Sequence, residues 1–252
     1  MEFGINLYSV RTKIQTPEDF LDTAIRLKDM GYSFLQFSGG VYDPEVIKSV
    51  SQKTSMPIVL THVPMQRILN DTDALMKEHE SFGCRNIGLG AMPWESVGDD
   101  ERVVKDIAAL NKAGEYMSER GFNFFYHHHH IELRKLPDGE TVLEYMIKNA
   151  PAVNFTVDTY WLQYGGVSIL EYTDKLKGRI ECAHLKDYKV EPKDFSCRIA
   201  AVGEGNINFG DVVPALCKAG AKYLLVEQDN ACDLEDTWGQ VESSINYLKS
   251  NF

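Results

Sequence analysis

Short apolar segments alternate with longer amphipathic segments along the chain, and this alternation occurs eight times. Each apolar segment has the length and the β-branched or aromatic content of a buried strand, whereas the segments between them carry apolar residues at helical spacing. The predicted strands cover residues 3–8, 34–37, 58–61, 86–89, 122–126, 153–157, 180–185 and 223–226. Because strands that alternate with helices pair in parallel, eight such units in 252 residues predict a closed (β/α)8 barrel.

Residues that begin and end helices support this division. Thr16 precedes Pro17 and an acidic first turn, which predicts a helix N-terminus, and Gly31 predicts the end of that helix. Further helices are predicted from residue 43 or 44 onward, up to residue 83, and over residues 100–120, 141–148, 168–177, 211–219 and 235–249, with a long loop after the seventh strand. An open doubly wound sheet would carry a glycine-rich turn after its first strand, and residues 6–9 contain no glycine. The expectation is an α/β TIM barrel that spans residues 1–252 as one domain.

The predicted strands end in polar residues, at the rim where such barrels carry their reactive groups. Asp158, His184 and Glu227 come from the ends of the last three strands. Imidazole together with carboxylate suits Mn²⁺, Fe²⁺, Co²⁺ or Zn²⁺ better than Ca²⁺, which prefers an all-oxygen site. Each of these residues alone is more often structural, but three of them at one rim predict a metal site.

The fifth strand ends in four consecutive histidines, from His127 to His130. Because side chains alternate along a strand, the bulky Phe124 and Tyr126 are expected to face the helices and His127 to face the barrel interior. His129 shares that inner face if the strand continues. His127 is therefore the predicted fourth ligand, and His129 is the alternative.

These strand ends and several longer motifs resemble the sugar phosphate isomerase/epimerase group of the xylose isomerase-like barrel superfamily. The motifs are YHHH at 126–129 with Glu132, VDTYW at 157–161, GRI at 178–180, HLKD at 184–187, VGEGNI at 202–207 and VEQD at 226–229. The resemblance implies one divalent metal ion (Mn, Co, Fe, Zn or Mg) held by groups from strands five to eight, here His127, Asp158, His184 and Glu227. Ketose epimerases of this group place a glutamate at the end of strand five, where this chain has histidine.

The resemblance implies a metal-dependent isomerase or epimerase that acts on a small sugar or keto-sugar through an enediolate-type intermediate. The proton-transfer residues are expected among Glu227, His129 and Glu132, because a catalytic base works best with a pKa near the working pH. The candidates for substrate binding are His62, Trp161, Lys186 and Arg198. The alternative is a lyase or dehydratase that acts on a keto-sugar, an inosose or a 3-keto-glycoside at the same site. A catalytically inactive barrel and a nuclease resembling endonuclease IV are weaker alternatives.

The composition of the chain limits the classes of molecule that we expect it to bind. The formal net charge of −11 repels a phosphate backbone, so a small carbohydrate and not a nucleic acid is the expected partner. Neither a membrane segment nor a secretory signal is expected from the apolar runs and the N-terminal residues. The five cysteines are odd in number and form no CxxC pair, which is typical of reduced thiols in a cytoplasmic protein. Members of the resembled group often form dimers or tetramers, so a homo-oligomer stays open.

Overall fold

A computed structural model describes residues 1–252 and shows ten strands, eight of which close into a parallel barrel. The barrel strands are β1 (Gly4–Asn6), β2 (Phe34–Phe37), β3 (Ile58–His62), β4 (Asn86–Leu89), β5 (Asn123–His127), β6 (Val153–Asp158), β7 (Cys182–Leu185) and β10 (Tyr223–Val226). The barrel closes because β1 pairs with β2 on one side and with β10 on the other, where Gly4 lies opposite Leu225. The predicted α/β barrel fold is therefore confirmed.

Eleven α-helices lie between the strands or after the last one, and seven of them begin at a residue whose side chain caps the helix. They are α1 (Pro17–Met30), α2 (Pro44–Thr54), α3 (Met65–Asn70), α4 (Thr72–Ser81), α5 (Trp94–Val97), α6 (Asp100–Ser118), α7 (Val142–Asn149), α8 (Thr159–Tyr164), α9 (Ile169–Lys175), α10 (Phe209–Ala219) and α11 (Thr237–Asn251). In α1 the Thr16 hydroxyl accepts the backbone N–H of Asp19, and Gly31 ends the helix at a φ of 102° that favours glycine. None of these helices combines the length and apolar character needed to span a bilayer.

The apolar core has two parts, and successive side chains of β5 belong to them in turn. Phe124 and Tyr126 belong to the large cluster between the strands and the surrounding helices. Phe125 belongs to a small cluster of six buried residues that come only from strands and fill the barrel interior. The predicted facing of β5 is thus confirmed, and His127 continues the inner face above Phe125. Because so few apolar side chains fill the interior, polar groups occupy its upper layer.

The predicted long loop after β7 is wrong, because residues 187–200 form an antiparallel hairpin. Its strands are β8 (Asp187–Val190) and β9 (Cys197–Ala200). Most of its side chains are exposed or half-buried, so the apolar alternation that reveals a strand is missing. The carboxylate of Asp187 anchors the segment that follows, since it accepts the backbone N–H groups of Gly203, Gly205 and Ile207.

The single helix predicted up to residue 83 is also wrong, since the segment divides into α3 and α4. The break falls at Asp71, whose backbone dihedrals of −135° and 27° are not helical. The run of Asn, Asp, Thr and Asp at residues 70–73 is a signal for such a break, and the single-helix prediction overlooked it because neither glycine nor proline occurs there.

Candidate active site

Four side chains that can ligate a metal ion converge at the carboxyl ends of adjacent barrel strands. They are His127 on β5, Asp158 on β6, His184 on β7 and Glu227 after β10. All four are buried, and one donor atom from each lies within 4.8 Å of the others. We refer to these four residues as the ligand cluster. Because the four strands are neighbours around the barrel, the residues meet although they span a hundred positions in the chain.

In His127 and Asp158, one polar atom is held by a neighbour and the other faces the cluster. The Nδ1 of His127 donates to the carbonyl oxygen of Gly90 at 3.0 Å, so the Nε2 is the atom that faces the cluster. The Oδ1 of Asp158 accepts the backbone N–H of Trp161 at 2.9 Å and so caps α8. Its Oδ2 is left to face the Nε2 of His127 at 3.1 Å.

In His184 and Glu227, too, a neighbour holds one polar atom and the other polar atom faces the ligand cluster. The Nε2 of His184 lies 2.7 Å from the Oε1 of Gln36, and the Oε1 of Glu227 accepts the side-chain N–H of Asn6 at 2.8 Å. The remaining atoms, His184 Nδ1 and Glu227 Oε2, lie 2.6 Å apart, yet neither has a partner with hydrogen-bond geometry. Both atoms face a common point in the middle of the ligand cluster, and a divalent cation placed there would bind the two of them.

Positive neighbours keep both carboxylates of the ligand cluster ionised. Burial alone would raise the pKa of Asp158, but Lys186 and the adjacent histidines outweigh it and hold this pKa well below its usual range. The same opposition holds the pKa of Glu227 well below its usual range, with His184 and Lys186 as the main cations. In His184 burial lowers the pKa, yet the charge of Glu227 outweighs it and raises the pKa to about 9.

Lys186 is a buried cation bound by three carboxylates. Its Nζ lies 3.1 Å from Asp158 Oδ2, 3.1 Å from Glu227 Oε2 and 3.0 Å from Asp229 Oδ1. Asp229 is partly exposed, and burial raises its pKa although Lys186 opposes the change. The sequence interpretation did not select Asp229 as a site residue, but its place two positions after Glu227 at the same strand end was an available signal.

A cavity of about 340 Å³ lies over the ligand cluster, a volume typical of small-molecule sites. Five of its lining residues were selected from the sequence, namely His62, His127, His129, Lys186 and Glu227. The other lining residues are Tyr8, Ser38, Gly39, Gly90, Ala91 and Asp229. Five of these six residues follow β1, β2 or β4. The motifs that indicated the family begin only at residue 126, so they did not point to this part of the cavity.

Five residues selected from the sequence do not line this cavity: Asp158 and His184 lie beneath it in the ligand cluster, and the other three lie behind its wall or outside the site. Glu132 is fully buried behind β5, where it accepts the hydroxyl of Tyr126 at 2.5 Å and the backbone N–H of His129 at 2.7 Å. Trp161 packs against the His129 ring at 5.1 Å between centroids and forms part of the wall behind it. Arg198 lies on β9 with 56% of its side chain exposed, and it pairs with Asp194.

The histidines that follow His127 have separate environments. The His129 ring lines the cavity, and burial together with the neighbouring His127 and Lys186 lowers its pKa to about 2, so the ring is neutral. His128 points away from the cavity and accepts the backbone N–H of Asp158 at 3.0 Å. His130 stacks on Trp161, with ring centroids 5.1 Å apart.

Comparison with known proteins places the chain in one family. A family model for xylose isomerase-like TIM barrels matches residues 25–251. A sugar phosphate isomerase/epimerase from Parabacteroides distasonis superposes with a TM-score of 0.82 at 19% identity, over 99% of this chain and 93% of that one. An L-ribulose 3-epimerase has a TM-score of 0.72 at 14% identity, over 100% and 94% of the two chains.

The probable 3-DHS dehydratase AsbF from Bacillus anthracis is also similar, with a TM-score of 0.71 at 11% identity over 99% of both chains. No curated protein matches this chain significantly. At these identities the structural similarities show the fold alone.

Proposed function

Because the chain belongs to the xylose isomerase-like TIM barrel family, we propose that it is a divalent-metal-dependent isomerase or epimerase of a small sugar or keto-sugar. The observation that carries the proposal is the ligand cluster beneath the cavity. Each of its four side chains has one atom anchored by a neighbour outside the cluster and a second atom that faces a common point, and Lys186 Nζ contacts this second atom in both carboxylates. Such anchoring is the usual support of a metal site.

His127, Asp158, His184 and Glu227 would hold one ion of Mn, Co, Fe, Zn or Mg. When bound, such an ion stabilises negative charge on a substrate oxygen, as an enediolate-type intermediate requires. The positive charge of Lys186, which also lines the cavity, stabilises the same developing charge. Asp229 keeps this ammonium in place.

The carbon-bound proton moves between residues that line the cavity. Glu227 belongs to the ligand cluster and also lines the cavity, and it accepts this proton, while the Lys186–Asp229 pair returns one to the carbon. His129, whose ring is neutral, holds a substrate oxygen beside them. Return to the opposite face of the same carbon gives epimerisation, and return to the neighbouring carbon gives isomerisation. Glu132 lies too deep for this transfer and supports it by holding the backbone of His129.

The lining of the cavity favours an uncharged substrate. It includes no arginine, and its one lysine, Lys186, is already bound by three carboxylates. A phosphate group needs a cation or a set of free backbone N–H groups that is not neutralised by the protein. The substrate class proposed is therefore a polyol with a carbonyl group and no phosphate.

A lyase or dehydratase on a keto-sugar is the second candidate. His127 stands at the end of β5, so the carboxylate that would complete a simple two-carboxylate epimerase is not at that strand end. The Lys186 ammonium could instead protonate a departing hydroxyl group after removal of the carbon-bound proton. The same early step then ends in loss of water.

Metal content, measured by elemental mass spectrometry, tests the proposal. We expect about one equivalent of metal in the wild type, loss of it in His184→Ala and retention in His130→Ala, because His130 lies outside the ligand cluster. Keto-sugars are then incubated with the enzyme in D₂O. A deuterated stereoisomer or positional isomer supports the isomerase, an unsaturated product supports the lyase, and absence of metal after reconstitution contradicts both.

A further inference from the structure

We infer that Gln36 links the metal site to substrate recognition, because it sets the proton positions on His184 and on His62. His62 thereby presents an Nδ1–H donor to the cavity. The inference deepens the proposed function and rests on it, since it takes the Nδ1 of His184 as a metal ligand. The chemistry that His62 recognises is a hydroxyl or carbonyl oxygen of the substrate.

Gln36 crosses the top of the barrel from β2. Its side chain is fully buried, and its Oε1 lies 2.7 Å from the Nε2 of His184 on β7. Its Nε2 lies 3.0 Å from the Nε2 of His62 on β3. Because β1 and β10 separate β2 from β7 in the barrel, this amide joins two sides of the site that strand pairing does not join.

The orientation of the Gln36 amide follows from the ligand cluster. The Nδ1 of His184 faces Glu227 at 2.6 Å, and this nitrogen must keep its lone pair to ligate an ion. The proton of His184 is therefore on Nε2, and only the oxygen of Gln36 can accept it. The opposite orientation would place an N–H group against an N–H group.

The other end of the amide then determines the state of His62. The NH₂ group of Gln36 donates to the Nε2 of His62, so this nitrogen carries no proton and the ring is the neutral Nδ1–H form. The His62 ring lines the cavity and stacks on His127, with centroids 5.4 Å apart. Its Nδ1 has no hydrogen-bond partner within the protein, since the only hydrogen bond of the side chain is the one to Gln36.

Gly90 keeps this edge of His62 open. A Cβ at position 90 would lie 3.0 Å from the His62 Nδ1 and would crowd the donor. Gly90 also lines the cavity, and its carbonyl oxygen holds the Nδ1 proton of His127. The glycine backbone thus orients a ligand and leaves room for a substrate oxygen beside His62.

The tautomer of His62 can be measured without a known substrate. The protein is labelled with ¹⁵N-histidine and loaded with Zn²⁺ or Mg²⁺, which are diamagnetic. Long-range ¹H–¹⁵N spectra then distinguish the two ring nitrogens, and His62→Asn assigns the signals. We expect a proton on Nδ1 and an unprotonated Nε2. A proton on Nε2, or on both nitrogens, in the metal-loaded protein would overturn the inference and leave the proposed metal function intact.

Gln36→Glu is the variant expected to change the position of the proton on His62. A carboxylate accepts hydrogen bonds from both histidines, so His184 keeps its proton on Nε2 while His62 moves its proton from Nδ1 to Nε2. We expect metal content to remain at the wild-type level and the His62 spectrum to switch. An unchanged His62 spectrum in this variant would overturn the inference. Gln52→Glu, on the exposed face of α2, makes the same change of charge and serves as the control.

Once a substrate is identified, Gln36→Glu also separates binding from chemistry. The lost donor raises KM by roughly tenfold to a hundredfold, the range for an unpaired polar group in a site, with a smaller change in kcat. Gln36→Leu removes the support of His184 as well and lowers metal affinity by roughly tenfold to a hundredfold. Equal loss of metal in Gln36→Glu and Gln36→Leu would indicate a purely structural role and contradict the link.

Discussion

The ligand cluster and the turn behind β5 each hold a buried glutamate, and the two carboxyl groups differ in charge. Glu227 lies beside His184 and Lys186, and these cations outweigh burial, so its pKa is well below the usual range. Glu132 accepts two hydrogen bonds, from Tyr126 and from the backbone of His129, but no cation is near it. Burial therefore raises the pKa of Glu132 to about 7. Hydrogen bonds alone do not keep a buried carboxylate ionised, whereas a positive charge at contact distance does.

Replacement of each glutamate by glutamine is expected to show the largest difference between the two regions. Glu227→Gln removes a charged donor from the ligand cluster, and we expect metal affinity to fall by more than roughly a hundredfold, beyond the loss seen when only a supporting residue is removed. Glu132→Gln is the matched variant and should keep the metal, because its carboxyl group faces away from the ligand cluster. Competition with a chelator measures both affinities. Equal losses in the two variants would place Glu132 in the metal site.

Lys186→Met tests whether the cation is what separates the two regions. Three carboxylates lose their shared partner, and removal of one member of a buried ion cluster costs about 3–5 kcal/mol in the free energy of unfolding. Urea denaturation without metal measures this loss, and added metal should recover part of it. Lys189→Met, a half-exposed lysine on β8, is the control and should change stability by less than about 0.5 kcal/mol.

The pH dependence of the unfolding free energy tests the raised pKa of Glu132. Its pKa rises from an ordinary value of 4.5 to about 7 in the folded protein, so the folded state holds the proton more tightly. The contribution of Glu132 to stability is therefore greatest below pH 4.5 and falls as the pH rises through 7, by about 3 kcal/mol. We expect the difference in unfolding free energy between wild type and Glu132→Gln to follow this course in denaturation at several pH values. A difference that does not vary with pH would contradict it.

Arg198→Ala has the smallest expected effect. The side chain is largely exposed on the hairpin and pairs with Asp194, an arrangement that contributes at most about 1 kcal/mol. We expect metal content and kcat/KM to match those of the wild type. A clear rise in KM would show that the hairpin approaches the substrate and would restore Arg198 to the site.

Local patterns predicted the elements that rest on local interactions. The ranges of β2, β4 and β10 match the apolar runs, and Thr16, Asp43 and Thr141 cap helices where the sequence indicated helix starts. The hairpin of β8 and β9 was missed because its strands are held by pairing with each other and not by an apolar face. Exposed strands carry no period that a sequence pattern can detect.

The candidate site was predicted in part, and the parts that were missed share a cause. His127, Asp158, His184 and Glu227 stand at strand ends, where the rule for barrels directs attention. Asn6 and Gln36 also stand at strand ends, but a lone amide in an apolar strand gives no sign of its partner. Their partners lie 221 and 148 positions away along the chain.

The sequence by itself determined the barrel, the order of its strands and the rim at which the reactive groups collect. Apolar periodicity and helix caps are short-range signals, and eight repeats of strand and helix are enough to indicate this fold. Only the tertiary structure decided which atom of each ligand faces the common point. Oδ1 of Asp158 is taken by α8, and Oε1 of Glu227 is taken by Asn6 from the opposite end of the chain. The side chains of Asp158 and Glu227 offer two equivalent oxygens each, and closure of the barrel brings the partners that distinguish them.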